Sequence, residues 1–310
     1  MSIPGEALNV IREGDAGTGD GAPLDETRAA SRLSLVGRRF MQRRLAVFGL
    51  CAIVALFALA FLGPYLGQWE YTEYDFDSFQ EAPSAEHWFG TTRSGADVYA
   101  LTLRGMQKSL LIGLLVALIS TSLAAIVGAF AGYVGGWVDR VLMWIVDLLL
   151  VIPAFLIIAI LSPSFRGSTW LLFVILLAAF LWMVTARIVR GMTISLRERE
   201  YVLAARYMGV STPRIILRHV LPNISSLLIV DATINVSAAI IAETGLSFFG
   251  FGVQPPDVSL GNLIAAGTNS AVTFPWLFWF AGGLLVAIVL AVNLVGDGLR
   301  DAIDPTSRAR

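Results

Sequence analysis

Apolar residues fill six long runs of this chain, at about 45–62, 110–133, 138–161, 170–189, 224–241 and 274–294, with polar segments between them. A helix needs about 20 apolar residues to cross a hydrocarbon core of roughly 30 Å, and runs of this length predict six membrane spans. The pattern therefore predicts an all-α membrane protein. Against this background the stretch "EYVLAARYMGVSTPRIILRHVLPN", residues 200–223, stands out as a polar insert of some length.

Local signals in the insert predict two short helices. Ser195 followed by Glu198 matches a capping box, so a helix is expected to start there and run through Tyr201, Ala204, Ala205 and Met208, four positions that share a face. Gly209 is placed to end it in a left-handed conformation. Thr212 before Pro213 reads as an N-cap with proline in the first turn of a second helix, which carries Ile216, Arg218 and His219 and is expected to stop at Pro222. Ala204 and Ala205 would let another surface come close, and Glu200 and Arg206 are placed to pair with its charges. Two readings stay open at this point: a docking hairpin, or a basic hairpin that only stitches two spans together.

Charge sets the expected orientation. Cytoplasmic loops of membrane proteins are enriched in Lys and Arg. With both termini and the even-numbered loops inside, 18 of the 22 basic residues fall on the cytoplasmic side. Residues 1–30, rich in Gly, Asp, Glu and Ala, read as a disordered cytoplasmic tail and lack the order of a signal peptide. Residues 31–44 mix paired arginines with Leu33, Leu35, Val36 and Phe40, a pattern for a segment lying on the inner membrane surface. The spans and their loops then occupy 45–297, and 298–310 form a second cytoplasmic tail.

Composition agrees with this picture: 56% of residues are hydrophobic and 15% charged, outside the range of ordinary soluble domains. The single cysteine, Cys51, has no partner for a disulfide, and the two histidines, His87 and His219, show no carboxylates at ligand spacing. No cofactor or metal site is expected. Polar residues inside spans are costly, so Asp147, Asp231, Asn235 and Asn293 are singled out. Asp147 precedes Pro153 and is a candidate for helix packing or for the pathway; Asp231 and Asn235, four apart on one face, are candidates for a pathway, a subunit interface or a bond between helices. "GAFAGYVGG" offers small residues for close packing of the second span. An external loop at 68–108 is long for a connector, and a second at 243–273 is expected to hold a short re-entrant or external helical element.

The insert resembles the EAA signature of ABC-transporter permease subunits, with Glu200, Ala204, Ala205, Gly209, Ile216, Leu221 and Pro222 at matching positions. "HWFGTTRSGADVYALTLRGMQKSL", "LSFFGFGVQPPDVSLGNLI" and "GDGLRDAIDP" resemble further segments of the C-type permease of dipeptide and oligopeptide importers, so the likeness runs from about Gly37 onward. Thr92, Ala96 and Leu260 stand where the family usually has aspartate, arginine and tryptophan. The resemblance implies a six-span permease of the type I ABC importer kind. It also implies that residues 191–222 form a coupling loop in which Glu200, Tyr201, Ala204, Ala205, Arg206, Met208 and Gly209 meet an ATPase. The implied partners are a second permease, two ATP-binding subunits that hold ATP and Mg, an extracytoplasmic substrate-binding protein, a peptide substrate and the lipid bilayer, with no nucleic acid. Within that family the cargo is dipeptide, longer peptide, glutathione or nickel.

The only lysine, Lys108, follows Gln107, so this chain has no phosphate-binding loop of the kind that needs Gly-Lys-Ser/Thr. ATP hydrolysis is therefore expected on a separate polypeptide, and no enzymatic activity here. An ion-coupled secondary transporter would need an ion-coordinating or proton-relay cluster and usually an internal repeat, neither of which is visible. A non-transporting scaffold is the remaining alternative.

Overall fold

A computed structural model describes residues 32–162 and 170–303. The expected N-terminal tail and the end of the C-terminal one lie outside these residues. The described elements are helical apart from an isolated antiparallel bridge between Thr91 and Asp97. In order they are α1 (Arg32–Gln42), α2 (Arg44–Leu62), a 3-10 turn (Gly63–Tyr65), α3 (Val98–Val134), α4 (Gly136–Val151), α5 (Ala154–Leu161), α6 (Trp170–Leu181), α7 (Met183–Arg197), α8 (Glu200–Tyr207), α9 (Thr212–Ile215), a π-turn (Ile216–Val220), α10 (Leu221–Phe248), α11 (Leu260–Thr268) and α12 (Trp276–Ile303).

Four helices are long and apolar enough to cross a membrane unaided, and the number rises to six if each of two bent pairs is one span. The third span breaks between α4 and α5 with a 74° bend. Pro153 is the cause: it has no N–H to donate, and it forces Ile152 into an extended conformation. The fourth span bends by 46° between α6 and α7, where no proline lies. There the Trp182 indole N–H donates to the Ala179 carbonyl at 2.9 Å, intruding on the helix's own ladder. Neither break was expected from the apolar runs, which are continuous across both.

The other spans outrun their apolar stretches. α3 begins at Val98 rather than near 110, capped by the Asp97 carboxylate accepting from the Ala100 N–H at 2.7 Å. The first loop is thus shortened to 66–97, and Arg104 and Lys108 sit on α3. α12 reaches Ile303, so residues 298–303 continue a helix rather than start a tail. α1 lies against that end: Phe40 packs with Ala46 and Ala302, the Arg39 guanidinium donates to the Ala302 carbonyl, and Arg43 pairs with Asp301 at 3.6 Å.

α3 is the central helix and packs against α2, α4, α6, α7, α10, α11 and α12. Small residues let its neighbours come close. A Cβ at Gly128 would lie 2.8 Å from the Val189 Cβ, one at Gly132 would lie 2.9 Å from the Thr193 Cβ, and one at Gly113 would lie 2.7 Å from Ile240. The small residues expected to pack the second span thus form its seam with α7.

Candidate functional site

The polar insert is a helical hairpin, with its boundaries moved. Ser195 is no cap: it lies inside α7, and its hydroxyl donates to the Gly191 carbonyl. α7 continues to Arg197, and α8 starts at Glu200 after Arg199, with no side-chain cap. Gly209 does end this helix, at φ +76°, and a Cβ there would meet nothing within 4 Å, so backbone conformation alone demands glycine. The N-cap position of α9 falls one residue earlier than expected, at Ser211, whose side chain makes no capping bond.

Pro222 does not end the second helix. α9, the π-turn and α10 run on as one helix from Thr212 to Phe248. The wider π-turn absorbs the missing N–H of Pro222: the Leu221 N–H bonds back to the Ile216 carbonyl, and the Asn223 amide donates to the His219 carbonyl at 2.6 Å. The hairpin is therefore welded to the fifth span without a joint.

The face expected to be exposed is only partly so. Tyr201, Ala204, Arg206 and Met208 are exposed, as is Glu200 in the first turn, with Tyr207 at 87% and Met208 at 76%. Ala205 points inward. It is buried with Val202 and Ile215, and Tyr133 and Val210 pack on them. Tyr133 belongs to the last turn of α3, so α8 rests on the end of the central helix. Arg190 reinforces this end with a two-bond ion pair to Asp139 at the start of α4, and the Arg197 guanidinium donates to the Gly132 carbonyl at 3.3 Å.

Within the spans, Asp231 and Asn235 do share a face, and the structure brings them together at 2.9 Å. Asp231 also accepts from the Thr185 hydroxyl at 2.8 Å and from Thr121 at 3.3 Å, so their bonds tie α10 to α7 and α3. Asp147 forms an ion pair with Arg187 across α4 and α7, and both side chains are about half exposed. Asn293 is exposed on α12.

Sequence reasoning missed three buried clusters. Glu243, placed at the start of a loop, is fully buried in α10 and accepts from Ser247 at 2.5 Å and from Ser109 at 3.3 Å; Ser109 in turn accepts from the Leu260 N–H of α11. The i, i+4 spacing of Glu243 and Ser247 was the available signal. Lys108 pairs with Asp257 at 2.7 Å and lies 4.6 Å from the Trp170 ring. His87 does have carboxylates around it: Asp97 lies 2.9 Å from Nδ1 and Asp75 lies 3.4 Å from Nε2, ten and twelve residues away in sequence. Burial pulls the His87 pKa down, but the hydrogen bonds to Asp97 and Asp75 outweigh that, and the net shift is upward. Asp75 is lowered, first by the Asp77 backbone N–H.

The stretch 243–273 holds the short helix that its broken apolar pattern implied. α10 runs to Phe248, residues 249–259 form a loop, and α11 follows under a cap in which Ser259 accepts from the Asn262 N–H. α11 packs against α3, α10 and α12.

Residues 124–309 match the family profile of the binding-protein-dependent transport system inner membrane component, a region that spans the hairpin and the four spans around it. The chain belongs to that family. Residues 31–83 match a second profile, the N-terminal TM domain of oligopeptide transport permease C. An "Oligopeptide transport system permease protein OppC" from Mycobacterium tuberculosis (strain ATCC 25618 / H37Rv) is 58% identical over 284 residues, 91% of this chain and 98% of the relative. The protein of the same name from Escherichia coli (strain K12) is 39% identical over 273 residues, 87% and 90% of the two chains. A "Putative peptide permease protein" from Brucella suis biovar 1 (strain 1330) is 40% identical over 269 residues, 86% and 89%. As a member of this family the chain is a multi-pass inner membrane component of a transport system, and a non-catalytic one.

Proposed function

We propose that this chain is a permease subunit of an ATP-driven importer that carries peptides into the cytoplasm by alternating access. The names of the relatives favour peptides over nickel or glutathione as cargo. A second permease would complete the path, two ATP-binding subunits holding ATP and Mg would sit below, and a substrate-binding protein would deliver peptide from outside. The bias of basic residues supports termini and hairpin on the cytoplasmic side.

The observation that carries the coupling role is the two-sided packing of α8. Its outer face offers Glu200, Tyr201, Ala204, Arg206 and Met208, while Val202 and Ala205 key it to Ile215 and to Tyr133 of α3. A push on the outer face reaches the central helix through packed side chains and α10 through a continuous helix. Ala205 supports this contact from inside, and Gly209 sets the turn. The half-exposed Asp147–Arg187 pair would be costly against lipid, so we place it on the second permease or the path. Asp231 and Asn235 serve instead to bond helices together.

The test is Glu200→Arg and Gly209→Val in the reconstituted complex. Gly209→Val strains the turn by about 1–2 kcal/mol without a clash. Both variants should insert normally, yet lose ATPase co-purification and lower peptide uptake by about tenfold or more. Retention of both ATPase binding and uptake would refute the coupling role. Uptake that runs on an ion gradient without ATP would refute the importer reading.

A further inference from the structure

Arg104 is a half-buried arginine without an acid. Its Nη1 donates to the Gln107 side chain at 3.1 Å and its guanidinium lies 4.8 Å from the Tyr71 ring centroid, but no carboxylate pairs with it among the described residues. It lines a cavity of about 320 Å³ at the end of α3 opposite the hairpin, together with Tyr65, Trp69, Glu70, Tyr71 and Gln107. The Trp69 indole N–H is buried and closed off from the cavity, so Trp69 adds only ring surface to the wall. The ring is held in place by stacking on His87 at 4.9 Å, and Gln107 is held by donating to the Ala60 carbonyl at 2.8 Å.

A guanidinium that lines a cavity without a carboxylate partner is complementary to an oxyanion. The three aromatic rings provide an apolar wall for the body of its carrier, and Glu70 at the edge offers a place for an ammonium. We propose that this cavity binds a small amphiphile through an oxyanion on Arg104, the anion being a carboxylate or a phosphate. Two sources share that chemistry: the C-terminal carboxylate of a peptide waiting outside the path, or the phosphate of an outer-leaflet lipid headgroup. The extracytoplasmic placement rests on the orientation proposed above, whereas the anion chemistry does not.

The probes are a fluorescent tripeptide with a free C-terminus, its C-terminal amide, and nanodiscs with or without phosphatidylglycerol. Binding to the purified full transporter without the substrate-binding protein and without ATP is measured for wild type, Arg104→Gln, Arg104→Lys, Trp69→Phe and the control Arg93→Gln. Arg93 is exposed and lies outside the cavity in question. If peptide is the ligand, wild type prefers the free acid over the amide, and Arg104→Gln weakens the acid by about 10- to 100-fold and abolishes the preference. If lipid is the ligand, phosphatidylglycerol retained per complex falls in Arg104→Gln and the peptides show no preference. In either case Arg104→Lys retains part of the binding, and Trp69→Phe, which keeps a ring in the wall, and Arg93→Gln match wild type. Equal binding of every probe by wild type and Arg104→Gln, with both proteins equally folded by thermal melting, overturns the proposal. Because no uptake or ATP is involved, that outcome would leave the importer reading untouched, and failed uptake would leave this one untouched.

Discussion

The seam between α3 and α7 can be tested with a single methyl group. In Gly128→Ala the new Cβ would meet the Ala186 backbone carbonyl oxygen and lie 2.8 Å from the Val189 Cβ. Carbon atoms pack at about 3.5–4.0 Å, so the helices must part by roughly 1 Å, and a gap of that size forfeits a quarter to a half of each dispersion contact nearby. Ala124, Ala186 and Val189 are fully buried and lie along the seam, so no side chain at the surface can swing away to relieve the strain. Overpacking of this kind costs about 1–3 kcal/mol. The intrinsic helix gain of Gly to Ala, about 1 kcal/mol, opposes it. That gain cancels in a comparison with Gly191→Ala on α7 and Gly283→Ala on α12, both exposed glycines with nothing within 4 Å of a new Cβ. A mid-range difference of about 2 kcal/mol corresponds to roughly 4–8 °C in apparent Tm for a chain of this order of size. Tryptophan-fluorescence melts at one scan rate in one detergent measure it. Gly128→Ala should melt below wild type or level with it, and the two controls at or above wild type. A Gly128→Ala melt equal to those of the controls would refute the close seam.

Two further outcomes follow from the polar clusters. The folded pKa of His87 is raised, so its charged contacts with Asp97 and Asp75 stabilise the first loop fully below a pH of about 6.5 and lose that contribution as pH rises through the raised value. Loop melting followed by limited proteolysis should fall with pH in wild type and be flat in His87→Gln; parallel profiles would refute the cluster's role. Asp231→Ala should lower stability by about 0.5–2 kcal/mol by orphaning Thr185 and Asn235, with Asp231→Asn closer to wild type, as read by melting temperature.

The insert shows how far local signals reach. Gly209 was readable because a positive φ is a local demand that few residues meet, whereas Gly128 and Gly132 stood out only as small residues, and their partner α7 came from the fold. Ser195 misled because a capping box is only a pattern of residue types, and the preceding helix simply ran on through it. Pro222 misled for a related reason: a π-turn and the Asn223 side chain took up the bonds that proline cannot make. The exposed face of α8 was legible except at Ala205, whose burial depends on Ile215 and Tyr133, distant in sequence.

By itself the sequence determined the all-helical membrane class and the position of the hairpin between apolar runs, because hydrophobic length is additive along the chain. It also carried the family signature. Only the tertiary structure decided where the third and fourth spans break and how far the helices extend past their apolar runs. It alone brought Glu243 to Ser109, Lys108 to Asp257 and His87 to two aspartates. Such clusters exist because a buried charge or polar group needs partners, and the packing of α3 against its neighbours brings those partners from across the chain.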